Sequence, residues 1–448
     1  MPRGDVLAVV CSALSLGYAI QVNSGFFHPI ALALMLVAVA CAVLALTGVA
    51  GRLLVGRIGE SALVGLLALG LLVNFVMLAT RPIAMYLENG SPSAHPDFLL
   101  GLAAAFVLLT LVVVDRSRAG RVWFPLLLVT FAGLGVWLIR ASPDPRIDVM
   151  TVHREAIATF AGGLSPYSAT FMNIYGNDEF YAAGVTQGGR VLVGLPYPPL
   201  SLLMAIPGEV LLGDIRFAEL GALILGAILI GYCTPSRLSM LAAALVLFTP
   251  RVFFVLEQAW TEPFAVCWLG ATVFALSQGG RGGPVALGLL CAVKQNLVVA
   301  LALYPIADRK WPRAIPVAAA IAFLVTVPFV WWDPAGFYRS VVWLQFVEPF
   351  RPDSLSLLSL VSRAGLPITA TTSAVATLGA LLMSGWFVWR TAPRTTSGFA
   401  LALGFVLLIV FAFSKKAFCN YYFFIIAALA AAIAASPTDQ RFHTDSPR

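Results

Sequence analysis

The sequence predicts an all-helical, polytopic membrane protein with about 12 full transmembrane helices. Of its 448 residues, 60% are hydrophobic and only 11% are charged, and the mean hydropathy is +0.91. A soluble protein of this length needs more polar surface, so the apolar excess must face lipid. Apolar runs long enough to cross the hydrocarbon core recur along the whole chain. They are too long and too uniform for the strands of a barrel, which leaves helices.

The full transmembrane helices are expected at 6–22, 29–50, 61–80, 98–114, 122–139, 216–233, 238–250, 259–277, 314–331, 368–389, 397–413 and 420–436. Another apolar run, 198–213, contains Pro207 and Glu209. If it crossed the membrane, Arg237 would lie on the outer side, against the preference of basic residues for the cytoplasm. We therefore expect this run to be re-entrant or interfacial.

The stretch 284–306 is expected to form a hairpin of two short helices. Arg281 precedes it and the basic cluster at 309–313 follows it. Both favour the cytoplasm, yet only one apolar stretch separates them. The chain must then turn back within the membrane, with Lys294, Gln295 and Asn296 near the tip of the hairpin.

The distribution of charge predicts the orientation. With the N-terminus in the cytoplasm, the short cytoplasmic loops carry 15 of the 28 basic residues but only 6 of the 21 acidic ones. The remaining 13 basic and 15 acidic residues lie on the other side, in much longer loops. This asymmetry is typical of membrane proteins, whose cytoplasmic loops are rich in arginine and lysine. It accounts for the net charge of +7 without a nucleic-acid partner.

Two outer loops, roughly 140–197 and 332–366, are the longest and most polar. The first contains an apolar stripe at helical spacing, formed by Val149, Val152, Ala156, Ile157 and Phe160. Such a helix is expected to lie along the membrane surface and to end at the pair Gly162 and Gly163.

Four outer carboxylates are candidates for acid–base chemistry. Asp144 and Asp148 follow the fifth predicted span, and Glu257 and Glu262 precede the eighth. An ionised carboxylate within hydrogen-bond reach can accept a proton from an attacking hydroxyl. Each can equally be a solvated loop carboxylate or a partner in a structural ion pair, and the structural interpretation is preferred for Asp144 and Glu155.

The four lysines indicate a second kind of chemistry. Lys310 flanks a cytoplasmic helix end, whereas Lys294, Lys415 and Lys416 lie on the outer side or at the hairpin tip. Ionisable groups at membrane depth are costly and mark function, and a lysine is a suitable point charge for phosphate. A snorkelling side chain explains one of the last two lysines but not the set. The set favours an anionic lipid head group, to which Arg339 and Arg351 can also contribute.

Several features follow one another along the chain: Asp148 at a span end, a surface helix, a turn with Gly163, Pro166 and Tyr167, the run Tyr197-Pro198-Pro199-Leu200, the lysine of CAVKQN and the segment KKAFCNYY. In this order they resemble the GT-C superfamily of integral membrane glycosyltransferases. Within the superfamily, the polyprenyl-phosphomannose-dependent mannosyltransferases are the most similar. The resemblance covers about residues 144–436. The sequence departs from the family pattern because Asp148 follows the fifth span rather than the first, as four additional N-terminal spans or a permuted chain order would explain.

The resemblance implies transfer of a sugar, mannose in this branch, from a polyprenyl-phosphate carrier to an acceptor hydroxyl with inversion. Asp148 would be the general base. The cations that would bind the donor phosphate are Lys294, Lys415, Lys416 and Arg351. The other substrate-binding candidates are Tyr167, Tyr197, Glu257, Glu262, Asn420 and Tyr421.

The resemblance also implies no cofactor and no strict metal dependence, and the sequence shows no metal-ligand spacing. The expected partners are the polyprenyl-phosphate sugar donor, a glycan or lipid acceptor and membrane lipids. The expected location is the plasma (inner) membrane of a bacterium, with the active site on the periplasmic or extracellular side. We expect N-terminal transmembrane helices at 1–121, a GT-C-like catalytic core at 122–436 and a disordered cytoplasmic tail at 437–448.

Two other classes of function fit parts of the sequence. A transporter or lipid flippase commonly has broken helices with polar residues near mid-bilayer, as around Lys294. However, no repeat of one half of the chain is found in the other, and polarity gathers on one side. The third interpretation is a structural or assembly protein without catalysis. The long, aromatic-rich outer loops are weak evidence against it.

Overall fold

The computed structural model describes residues 1–176, 180–308 and 310–436, which are predominantly helical. The α-helices are α1 Arg3–Val22, α2 Pro29–Leu46, α3 Val49–Leu53, α4 Glu60–Thr80, α5 Pro96–Val114, α6 Phe124–Ala141, α7 Asp148–Ala161, α8 Pro199–Leu212, α9 Arg216–Gly231, α10 Arg237–Leu247, α11 Val252–Glu257, α12 Glu262–Ser277, α13 Gly283–Val293, α14 Val299–Leu303, α15 Trp311–Trp332, α16 Pro334–Phe337, α17 Leu344–Val347, α18 Leu357–Arg363, α19 Ala370–Thr391, α20 Thr396–Ala412 and α21 Cys419–Ala434. Short 3-10 segments at Pro92–Ala94, Gln295–Val298 and Tyr304–Ile306 and π-helical segments at Ala119–Trp123 and Tyr338–Trp343 complete the helical structure.

A small antiparallel sheet lies in the first long outer loop. Its strands are β1 Phe171–Met172, β2 Thr186–Gln187 and β3 Arg190–Val191, in the order β1-β3-β2. Phe171 and Thr186 both pair with Val191, which is buried. The sheet gives this loop a fixed shape beside α7.

Seven helices in the described residues are long and apolar enough to cross a membrane. They are α1, α2, α4, α5, the helix from Ala119 to Ala141 that includes α6, α15 and α19. The other five predicted spans also form helices, namely α9, α10, α12, α20 and α21, but these are only 11 to 17 residues long. The chain is therefore a helical membrane protein, and the crossing of the bilayer by the five shorter helices stays a prediction.

The centre of the molecule is α21. Every residue from Tyr422 to Ala434 is buried, and the helix packs against α1, α10, α12 and α20. A helix that is apolar on all sides belongs inside a bundle rather than at its lipid-facing edge. Because α1 packs on α21, one continuous cluster of buried apolar side chains joins 1–121 to 122–436. The predicted tail at 437–448 lies outside the described residues, as does Arg309 of the predicted basic cluster.

The chain reverses direction at Lys294. Helix α13 ends there in an extended conformation, with φ −151° and ψ 138°. The following segment returns to the beginning of α13, because a Cβ atom placed on Gly283 lies 3.0 Å from the hydroxyl of Tyr304. Two short helical segments with Lys294 at the turn are the arrangement expected from the sequence.

Helix α7 has the predicted amphipathic pattern, but its apolar stripe packs on protein. Val152, Ala156 and Ile157 are buried, and the ring of Phe160 stacks on Phe329 of α15 at 5.9 Å. The helix ends at Gly162, and Gly163 follows with a φ of +77° that favours glycine. The stripe therefore packs on the protein itself, and the location of the helix along the membrane surface stays a prediction.

A buried arginine fixes the turn that leads from α8 into α9. Arg216 is fully buried and donates to both carboxylate oxygens of Asp214 at 2.6–3.1 Å. It also donates to the backbone oxygens of Ser142 at 2.8 Å and Ile139 at 3.3 Å. The start of α9 is therefore tied to the end of α6, just before Asp148.

We predict that Arg216→Ala destabilises the protein by about 3–5 kcal/mol, because it removes the buried charge that compensates the Asp214 carboxylate and the donor that the backbone oxygens of Ser142 and Ile139 share. Thermal unfolding in detergent checks this, and the melting temperature of the variant should fall well below that of the parent protein. Arg140→Ala, which removes an exposed arginine from the end of α6, is the matched control. Equal melting temperatures for the two variants would refute this role of Arg216.

Candidate functional site

Two adjoining cavities lie between the outer loops, with volumes of about 430 Å³ (cavity A) and about 620 Å³ (cavity B). The side chains that line both are Asp148, Tyr197, Lys294, Glu348, Lys416 and Tyr421. Volumes of this size are typical of small-molecule sites. Apart from the faces of α19 and α20 that line cavity B, the lining segments lie at helix ends or in loops that the predicted topology assigns to the outer side.

Asp148 begins α7 on the wall between the cavities. The preceding residue, Ile147, is extended, and one carboxylate oxygen of Asp148 accepts the N–H of Val149 at 2.8 Å. Burial raises the pKa of Asp148, although the Val149 N–H and the charge of Lys416 oppose the shift. A carboxylate with a raised pKa that retains access to a cavity is suited to accept a proton.

Lys294 is held by an ion pair with Glu262, the first residue of α12. Asn420 of α21 donates to the same glutamate oxygen at 2.9 Å. The ammonium group also lies 4.9 Å from the ring centroid of Tyr421 and 5.7 Å from that of Tyr197. Lys294 is only 8% exposed, and that remaining surface faces the cavities.

Lys415 and Lys416 precede α21 and both contact Glu348. Lys416 forms an ion pair with the carboxylate, whereas Lys415 donates to the backbone oxygens of Glu348 at 2.7 Å and Phe346 at 3.4 Å. Burial acts to lower the pKa of Lys416, but the charge and hydrogen bond of Glu348, together with Tyr421 and Asp148, outweigh it and the pKa rises. The pKa of Lys415 is lowered, chiefly by burial. Among Lys294, Lys415 and Lys416, Lys415 is therefore the lysine whose charge is least compensated by a carboxylate.

Arg351 lies on the wall of cavity A, where it is already paired. Its guanidinium donates to both oxygens of Asp353, at 2.9 and 2.7 Å. The same group is sandwiched between Phe180 and Phe418, with centroid distances of 4.5 and 4.9 Å. Its backbone N–H donates to the backbone oxygen of Lys415 at 2.9 Å, so Arg351 contributes to the structure of the site as well as to its charge.

Tyr167, Glu257 and Glu262 do not line either cavity. Tyr167 is fully buried, and its hydroxyl donates to the backbone oxygen of Tyr197 at 3.0 Å. Glu257 is also fully buried, and it accepts bonds from the backbone N–H groups of Met85 and Tyr86 and from Ser142. These three residues thus lie behind the cavity walls, where they position the residues and loops that line the cavities, and direct substrate binding by them stays a prediction.

The remaining predicted substrate-binding residues, Tyr197, Asn420 and Tyr421, line cavity A, and both tyrosines also line cavity B. Arg339, which was expected to join the cationic set, is exposed and lies outside both cavity walls. Asp144 is exposed as well, in agreement with its structural interpretation.

Sequence reasoning missed Glu348, Tyr175, Tyr181 and Trp260, all of which line the site. The charges of Asp148 and Glu348 act on Tyr181, whose pKa is raised mainly by burial. Its hydroxyl has no hydrogen-bond partner among the described residues. For Glu348, Tyr175 and Tyr181 the one available signal was their location in the two longest predicted outer loops, which does not separate them from their neighbours; Trp260 lies within a predicted span, where nothing marked it.

His153 supports the site from behind. Burial lowers the pKa of His153 to about 4, so its ring is neutral near pH 7. The ring stacks on Tyr197 at 5.4 Å and lies 2.9 Å, through Nδ1, from the backbone oxygen of Val149. One turn of α7 thus fixes both Asp148 and the tyrosine that the two cavities share.

Cavity B continues away from this polar wall along an apolar surface. Ala370, Ser373, Ala374, Thr377, Leu378 and Leu381 line it from one face of α19, at the spacing of a single helix stripe. The stripe is about 16 Å long. Val410 and Phe411 of α20 form the facing side. Since α19 is one of the seven long apolar helices and Leu378 is 55% exposed, this surface is suited to hydrocarbon.

The described residues contain no group of three or more His, Cys, Asp and Glu side chains that could hold a metal ion. Comparison with protein-family models, with curated proteins and with solved structures gives no match. The chemistry of this protein therefore has to be argued from the two cavities themselves.

Proposed function

We propose that this protein is a membrane glycosyltransferase that transfers a sugar from a polyprenyl-phosphate carrier to an acceptor hydroxyl. The observation that carries the proposal is the location of Asp148 between a cavity with an apolar extension along α19 and a second, aromatic cavity. Lysines lie on the same wall as this candidate base. A lipid-phosphate donor needs a hydrocarbon surface, cations and a nearby base, and these coincide here.

In this proposal the donor occupies cavity B. Its hydrocarbon chain lies along α19, and its phosphate lies near Lys294, Lys415 and Lys416. Two of these lysines are already paired with carboxylates, so Lys415 supplies the uncompensated charge. An ammonium group has three N–H donors, which leaves each lysine able to donate to phosphate as well.

The reaction follows from this placement. An acceptor hydroxyl in cavity A attacks the anomeric carbon of the carrier sugar while Asp148 takes its proton. A bond forms between the acceptor oxygen and the anomeric carbon as the bond from that carbon to the phosphate oxygen breaks. The polyprenyl phosphate departs with the electron pair, stabilised by the lysines. Attack from the side opposite the phosphate inverts the anomeric centre.

The finer assignments also belong to this proposal. They are a GT-C-like fold with about 12 membrane crossings, mannose as the sugar and a site on the outer side of a bacterial plasma membrane. They are supported by the resemblance in motifs and by the unequal distribution of basic residues.

We predict that Asp148→Asn lowers kcat by about 10²–10⁴-fold, the usual contribution of a positioned general base. Transfer of radiolabelled mannose from polyprenyl-phosphomannose to endogenous membrane acceptors measures the effect. Asp144→Asn, an exposed neighbour outside both cavities, should retain full activity. Full activity of Asp148→Asn would remove Asp148 from catalysis, and sugar-lipid counterflow across vesicles without glycoside formation would favour transport instead.

The raised pKa of Asp148 predicts the acid limb of the pH profile. Only the ionised carboxylate accepts a proton, so kcat/KM should fall as the pH drops through this raised pKa. The midpoint should lie above about 4, the ordinary value for an aspartate. A profile of kcat/KM between pH 4 and 9 tests this, with melting temperatures recorded at each pH to exclude unfolding. A midpoint at or below the ordinary value would contradict the prediction.

Lys415→Gln should weaken binding of the donor phosphate by about tenfold or more, since tenfold corresponds to only about 1.4 kcal/mol. Binding of polyprenyl phosphate to protein in lipid nanodiscs measures the dissociation constant directly. Lys310→Gln is the matched control because Lys310 lies outside both cavity walls. Equal affinities of the two variants would exclude Lys415 from phosphate binding.

A further inference from the structure

The outer loops of the N-terminal helices form one wall of cavity A. Phe26, in the loop between α1 and α2, lines the cavity, as do Met85 and Tyr86 in the loop between α4 and α5. All three precede residue 122, where the predicted catalytic core begins. The N-terminal helices therefore contribute side chains to the site as well as packing surface.

The first of these loops is fixed to the segment that carries Arg351. The N–H of Phe27 donates to the backbone oxygen of Asp353 at 2.7 Å, and Phe26 forms an antiparallel bridge with Ser354. The guanidinium of Arg363 lies 4.5 Å from the centroid of the Phe27 ring. Phe26 meets Phe418 edge-on at 5.5 Å, so this part of the wall has a defined position.

The second loop is fixed by buried polar groups. Glu257 accepts the N–H groups of Met85 at 2.5 Å and Tyr86 at 3.0 Å. Arg251 donates to the backbone oxygen of Pro82 at 3.0 Å. The hydroxyl of Tyr86 donates to the backbone oxygen of Arg146 at 2.7 Å, two residues before Asp148. A buried carboxylate that binds the loop backbone keeps this loop in a defined position.

The chemistry of cavity A fits a saccharide. Its wall is rich in aromatic rings, contributed by Phe26, Tyr86, Tyr175, Phe180, Tyr181, Tyr197, Phe254, Trp260, Phe418 and Tyr421. Gln258, Asn420 and the unpartnered hydroxyl of Tyr181 add polar groups among the rings. A sugar ring has apolar C–H faces that pack on aromatic rings and hydroxyl edges that need donors and acceptors.

We propose that the loops at 23–28 and 81–95 form the acceptor-specificity wall of cavity A and that the acceptor is a saccharide. This inference rests on the proposed function, in which Asp148 takes a proton from an acceptor hydroxyl in this cavity. Met85 and Phe26 contact the sugar residue next to the reacting hydroxyl. The N-terminal helices thereby select the acceptor, while α19 and the lysines bind the donor.

Saccharide titrations of the full-length protein in lipid nanodiscs test the proposal. The probes are the methyl glycosides of mannose, glucose and arabinose, and the readout is tryptophan fluorescence, with Trp260→Phe identifying the signal from cavity A. At least one glycoside should bind saturably. Met85→Ala and Phe26→Ala should each weaken its binding about tenfold, whereas polyprenyl-phosphate binding should not change. Glu88→Ala, an exposed residue of the same loop outside the cavity, should match the parent protein.

The possible outcomes separate this inference from the proposed function. Saccharide affinities that are unchanged in Met85→Ala would overturn the specificity wall, and the 59% exposure of Met85 makes misfolding of that variant a poor explanation. Binding of polyprenyl phosphate without binding of any glycoside would overturn the saccharide acceptor and leave the donor site intact. Glycoside binding together with full transfer activity of Asp148→Asn would overturn the proposed mechanism but not the wall.

Discussion

The site depends on the ion pair between Lys294 and Glu262. An ammonium group is too costly to bury among apolar helices unless a carboxylate compensates its charge. Glu262 begins α12, Lys294 ends α13, and Asn420 in the first turn of α21 donates to the same carboxylate. Three helix ends are thereby brought together at one point. The hairpin breaks at Lys294, the point where these helix ends meet.

The cost of burying a charge also constrains the other charged residues that line the two cavities. Each cation has partners within the protein: Lys416 pairs with the carboxylate of Glu348 and Arg351 with that of Asp353, whereas Lys415 donates to backbone oxygens and keeps an uncompensated charge. Such a wall is stable without a ligand and retains N–H donors, as the proposed phosphate site requires. Asp148 differs, since its strongest contact is a backbone N–H and burial raises its pKa. Asp148, the proposed base, is thus the acidic group of the wall that remains most available for proton transfer.

Helix positions could be predicted because long apolar runs leave few alternatives in a membrane protein. Asp148 and three lysines could be singled out because charged residues are rare at helix ends of this kind. The hydrogen-bond partners of the carboxylates could not be predicted. Glu257 resembles a site carboxylate in the sequence, yet its oxygens accept backbone N–H groups of a loop about 170 residues earlier. Glu348 was missed for the opposite reason, since nothing local marks it. The tertiary contacts of Glu257 and Glu348 decide their roles, and residue type alone does not reveal those contacts.

One short segment connects the two halves of the proposed reaction. Glu348 holds Lys415 and Lys416 beside cavity B, the proposed donor site, and five residues later Asp353 accepts the N–H of Phe27 in the proposed acceptor wall of cavity A. Between them, the N–H of Arg351 donates to the backbone of Lys415. A shift of this segment would therefore move the lysines and the N-terminal wall together. In the proposed reaction, this segment would hold the donor phosphate and the acceptor in register with Asp148 while the sugar is transferred.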